Sequence, residues 1–215
     1  MAKKPTFHDH LILNRWLLSL FHKKDLATLK AQIGGDEYEG EAKDEQSGFF
    51  HQLTGVLFFS EGSSLSENDL RRYDLNVLRH WRQITQKRNK IYHQELKLKY
   101  FQYLSLIFTE IYLDWYFNRR DALLEALNKQ LEQYQKTGKA AEKFAPYQAE
   151  DLNMTAFWNA TGSGKTLLMH VNILQYLEYA DKKPDKIIVL TPREGLSRQH
   201  VADLALSGFG AALFD

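Results

Sequence analysis

From Asn68 to Gln135 the chain contains neither proline nor glycine. A single helix of that length would extend roughly 100 Å at about 1.5 Å per residue. A compact domain has no use for such a rod, so the stretch is expected to fold into two or three helices packed side by side. Its parts differ in character. Residues 71–100 carry nine Lys and Arg against Asp74 and Glu95, a net of +7. Residues 100–117 are aromatic and mostly apolar around the circumference, the pattern of a central core helix. Residues 121–136 return to an amphipathic spacing with Leu123, Leu124, Leu127 and Leu131 on one face.

The window 100–117 is the most apolar of the chain, yet it contains Gln102, Thr109, Glu110 and Asp114. Those groups argue against a bilayer span and for a buried helix. No signal-type apolar run follows the N-terminus, and there are no cysteines for disulfides or thiolate metal sites. A cytoplasmic location without membrane partners is the expectation. The global charge of +1 selects no class of partner.

Before this stretch, residues 8–33 show one helical apolar face with Leu11, Leu13, Trp16, Leu17, Leu20 and Phe21, closed by Gly34 and Gly35. An acidic loop follows. The apolar run 49–59 fits strand or helix equally, and Ser66 is placed to cap the long helical stretch.

Residues 136–146, "KTGKAAEKFAP", read as a linker. Beyond it the pattern changes. "TAFWNA" (155–160) and "KIIVLTP" (186–192) have strand character, and each precedes a helical segment. Strand–helix–strand–helix is the opening of a parallel sheet. The expected class is therefore α + α/β: a helical domain over 1–135, the linker, and an incomplete parallel sheet over 147–215.

Between the first strand and its helix lies "NATGSGKT", Asn159 to Thr166. A P-loop has Gly, four residues, then Gly-Lys-[Ser/Thr]. Thr161, Gly162, Ser163 and Gly164 would let backbone N–H groups turn inward around a phosphate at a helix N-terminus. Lys165 would neutralise the β and γ phosphates, and Thr166 would ligate Mg²⁺. ATP and Mg²⁺ are thus the expected ligands. The first position of the pattern holds Asn159 rather than Gly. Upstream, Tyr147-Gln148 offers an amide able to pair with two edge atoms of adenine. Downstream, Thr191-Pro192-Arg193 and Gln199 flank a helix start, where N–H donors and an arginine suit a sugar–phosphate backbone.

"ATGSGKT" together with "TPREGLSRQH" resembles the start of the first RecA-like motor domain of superfamily 2 DEAD/DEAH-type helicases, which implies that the incomplete sheet over 147–215 is a RecA-like P-loop sheet. Bacterial proteins of the type III restriction Res-subunit group are the nearest likeness. In such loops the first position is not restricted to Gly, and a Tyr-Gln pair often precedes them. The resemblance implies ATP-driven movement on nucleic acid, DNA before RNA, with a role in restriction or anti-phage defence beside other subunits. It also implies Gln148 at the adenine and residues 191–199 as motif Ia. Such motors need a paired Asp-Glu closing a buried strand and a second domain. None of Glu178, Asp181, Asp185, Glu194, Asp203 and Asp215 stands in such a pair. The acidic pair is expected outside this sequence, and these residues alone are expected to bind nucleotide weakly without turnover.

Other readings stay open. The helical part could be a scaffold or nucleic-acid module with an inert loop. The +7 stretch, with Tyr73, Trp81 and Tyr92 between its charges, could hold phosphates and stack bases. "RNKIYH", Arg88 to His93, resembles the Arg-Asn-x-x-x-His motif of HEPN ribonucleases, although five residues turn the two side chains roughly 500° apart. His8, Asp9 and His10 form an isolated polar cluster.

Overall fold

A computed structural model describes residues 10–40, 44–55, 64–137 and 144–214. His8 and Asp9 lie outside them. Among the described residues eight α-helices follow in order: α1 (Ile12–Leu20), α2 (Leu26–Ile33), α3 (Gly48–Thr54), α4 (Glu67–Tyr92), α5 (Tyr100–Asn118), α6 (Arg120–Lys136), α7 (Lys165–Tyr179) and α8 (Glu194–Leu206). Short 3₁₀ turns occupy Asp36–Tyr38 and Ala149–Asn153.

The uninterrupted stretch resolves into α4, α5 and α6. Ser66 caps α4: its hydroxyl accepts from the Asp69 N–H at 3.0 Å, and the Asp69 carboxylate reaches back to the Ser66 N–H at 3.4 Å. His93 ends α4 in the left-handed conformation, φ 49°. A single residue, Arg119, turns α5 into α6. The expected single helix over 8–33 is two, α1 and α2. His22 adopts φ 54°, and Asp25 starts α2 by accepting from Thr28 N–H at 2.8 Å.

α5 is the axis of the fold. Tyr103, Leu106, Ile107 and Ile111 are fully buried, and Leu70, Tyr73, Val77 and Ile84 of α4 share the same core. Its polar residues are partnered in the interior. Asp114 accepts from Tyr73 Oη at 2.7 Å, from Asn118 at 2.9 Å and from Arg119. Burial opposes its charge, but these donors outweigh that and hold the carboxyl below its usual range. Asp74 accepts from Ser47 N–H and Tyr103 Oη. There burial wins over the donors, and the pKa is raised.

The expected parallel sheet does not form. Among the described residues there is no strand, only an isolated backbone bridge at Ser47, and the fold is mainly helical. No backbone hydrogen bond joins 155–160 to 186–192. Their apolar side chains stand outside the core: Trp158 is 84% exposed, Ile188 70% and Leu190 90%. The reason is physical. A helix pairs its own backbone groups, whereas a parallel strand needs a neighbour aligned beside it. α7 and α8 form without the sheet because the helical core receives them. Leu168 and Val171 of α7 enter the main core, and Gln175 Nε2 donates to Leu106 O at 2.9 Å.

Candidate functional site

The loop before α7 has the backbone its glycines permit. Gly162 and Gly164 lie at φ 79° and 81°, a region that β-carbons disfavour. Ser163 N–H closes a turn onto Ala160 O at 3.2 Å, and Leu168 N–H bonds Gly164 O at 3.1 Å as α7 begins. Lys165, the first residue of α7, donates its ammonium to Asn159 O at 3.2 Å and Ala160 O at 3.0 Å. Asn159 therefore contributes through its carbonyl, which any residue supplies. Ser163 is buried, and its hydroxyl has no hydrogen-bond partner among the described residues. Thr161 and Gly162 are exposed, and Thr166 is half-buried on the first turn of α7. Small residues, left-handed glycines, one lysine and a helix N-terminus are the chemistry of a phosphate cradle. Lys165 also borders an apolar cleft of about 500 Å³, with Phe157, Leu168, Met169, Ile173 and Tyr176 among its walls.

Gln148 sits apart from that chemistry. It is exposed, its amide donates to Pro146 O at 3.3 Å, and its N–H bonds Asp151 at 2.7 Å as the 149–153 turn starts. Tyr147 is fixed by α6: Asn128 accepts from its N–H at 2.7 Å and donates to its carbonyl at 3.1 Å. Tyr112 Oη and Arg120 hold the turn itself, through Leu152 O and Ala149 O.

Ahead of α8, Thr191 Oγ1 meets Ser197 Oγ at 2.6 Å and donates to Arg193 O at 3.1 Å. These bonds stitch the turn that starts α8. They leave Pro192, Arg193 and Gln199 exposed. α8 is anchored at its other end. Arg88 of α4 donates to Ser207 Oγ at 2.5 Å and to Asp203 O at 2.7 Å, and His170 of α7 meets the same hydroxyl at 2.7 Å. Burial, helped by the charge of Arg88, pushes His170 down to about 4.

This network removes Arg88 from the ribonuclease motif. Arg88 is buried between helices, while His93 is exposed at the end of α4. Most of the basic stretch is likewise engaged: Arg71 with Glu67, Arg72 with Asp69 and Asp114, Arg79 with Glu178, Lys99 with Glu39. Tyr73 and Trp81 are buried, and only Tyr92 of the three aromatics is exposed. His10 meets Tyr134 Oη at 3.0 Å. No metal-holding cluster of three His, Cys, Asp or Glu side chains occurs among the described residues, and none of their helices is long and apolar enough to cross a membrane.

One residue that sequence patterns did not single out touches the loop. Gln102 of α5 donates through Nε2 to Ser163 O at 3.0 Å. Its only signal in the sequence was being polar within the most apolar helix. Residues 119–209, from the start of α6 to the end of α8, match the family described as type III restriction enzyme, res subunit. No curated protein and no solved structure matches the chain.

Proposed function

We propose that this chain, with its Res-subunit match over 119–209, binds Mg–ATP on the 159–166 loop and DNA backbone at 191–199. It would do so as part of an ATP-dependent helicase or translocase of restriction or anti-phage defence type, acting beside other subunits. The observation that carries the reading is the loop: two left-handed glycines followed by Lys165 and Thr166 at the N-terminus of α7. In this reading Lys165 takes phosphate oxygens in place of the Asn159 and Ala160 carbonyls, and Thr166 holds Mg²⁺. Arg193 and Gln199, exposed at the start of α8, take the nucleic-acid backbone. When bound, ATP supplies hydrolysis energy, and the residues named here hold and orient it.

A thermal unfolding series tests this. Mg–ATP at 100 times Kd adds about 2.7 kcal/mol to the stability of a protein that binds it only when folded. The shift should vanish in Lys165→Ala. No shift in the wild type would favour a second reading, a helical scaffold or nucleic-acid module with an inert loop. The observation favouring that reading is that 155–160 and 186–192 expose apolar side chains and no backbone hydrogen bond joins one segment to the other.

A further inference from the structure

We propose that Gln102 is a positioning residue of the nucleotide loop, through which the helical core sets the loop's phosphate-binding shape. The inference rests on the nucleotide reading of 159–166 and adds a residue from outside the loop and its helix.

Three observations converge on it. Gln102 is buried, and both ends of its amide are used: Oε1 accepts from Lys99 N–H at 3.0 Å, and Nε2 donates to Ser163 O at 3.0 Å. The N-terminus of α5 therefore fixes which way round the amide sits, and the donor end falls on the loop. Second, Gly164 lies against this amide. A β-carbon there would come within 2.7 Å of Gln102 Nε2, so glycine serves the approach as well as the positive φ. Third, the Ser163–Gly164 peptide is trans, so its carbonyl and its N–H point in opposite directions. Holding Ser163 O on Gln102 turns Gly164 N–H away from α5.

That orientation matters for an anion. Phosphate binding by backbone needs N–H groups to converge and carbonyls to face elsewhere. A loop rich in Gly and Ser has little of its own to enforce this, because glycine visits many conformations. Gln102 removes one freedom at the residue just before Lys165. Its ligand class is that of the loop, a nucleoside triphosphate, and it acts on the phosphates without touching the base.

The test titrates wild type, Gln102→Leu, Gln102→Glu and Lys165→Ala with a fluorescent Mg–ATP analogue, and competes with inorganic tripolyphosphate and with adenosine. Losing one neutral hydrogen bond should weaken both phosphate ligands in Gln102→Leu roughly three- to tenfold. Gln102→Glu, whose carboxylate faces the Ser163 carbonyl, should weaken them further. Any adenosine affinity should be unchanged. Wild type that binds no nucleotide overturns both readings. Wild type that binds, with loss in Lys165→Ala but wild-type affinity in both Gln102 variants, overturns this inference alone. So does a lowered Tm in the Gln102 variants with unchanged affinity, the signature of a purely structural role. Should neither variant fold, the side-chain amide protons of Gln102 in ¹⁵N-labelled wild type decide. Slow solvent exchange and a shift on adding Mg–ATP are expected, and fast exchange overturns the proposal.

Discussion

Two apolar parts of this chain end in opposite surroundings. Residues 100–118 become α5, most of whose aliphatic and aromatic side chains are buried in the core. Residues 186–190 are no less apolar, yet Ile187, Ile188 and Leu190 face solvent. Hydrophobicity alone does not decide burial. α5 satisfies its backbone within itself and can be received by any neighbour with a complementary surface. A parallel strand leaves its backbone groups to a partner, and among the described residues no partner strand is present. α7 lies between these extremes: its Leu168 and Val171 face enters the core, while its Met169, Ile173 and Tyr176 face lines an open cleft.

The contrast has energetic consequences. Leu106→Ala, at the centre of α5, is expected to cost about 2–5 kcal/mol in urea unfolding. A loss under 1 kcal/mol would show that α5 is not the packed axis. Next in size is Glu110, buried where α5 meets α7, with Tyr179 Oη donating to it at 2.6 Å. Burial raises its pKa to about 7, and the donors around it only partly oppose this. The folded state then keeps a proton that the unfolded chain releases near 4.5, so stability falls as pH rises from 4.5 through 7. His80 and His170, both pushed by burial to about 4, act in reverse and lose stability as pH drops from 6.5 to 4. Glu110→Gln should therefore match wild type near pH 4 and exceed it by roughly 2–3 kcal/mol at pH 8. Superimposable pH–stability profiles would sink that assignment.

Smaller effects refine the same picture. Ser66→Ala removes the hydroxyl that caps α4 and is expected to lower stability by about 1 kcal/mol, read from the shift in denaturation midpoint. Leu190→Ser should change stability by less than about 0.5 kcal/mol. A cost above 2 kcal/mol there would mean that this apolar segment is covered in solution, and the difference between the two regions would disappear.

What could be read from the sequence follows the same division. The division of 68–135 into two or three helices, the cap at Ser66 and the interior role of α5 rest on local rules; the structure has three helices there, the cap and the buried α5. The apolar face of 8–33 runs on without marking the break between α1 and α2, although Asp25 caps α2 there. The sheet was expected because β-patterned segments flank the loop, but pairing is a property of two segments and neither encodes it alone. At the candidate site, spacing marks Lys165 and the glycines as the loop before α7. Gln102 was not, because its partner Ser163 is 61 residues away.

The ammonium of Lys165 rests on Asn159 O and Ala160 O, so nucleotide capture, if the loop works as proposed, would have the character of an exchange reaction. An arriving phosphate would not meet an idle charge; it would displace two carbonyls already holding it. The affinity of the loop would then be a difference between two occupied arrangements. Residues 159 and 160 would tune it through how firmly their carbonyls hold on, which is a property of backbone position more than of side-chain identity.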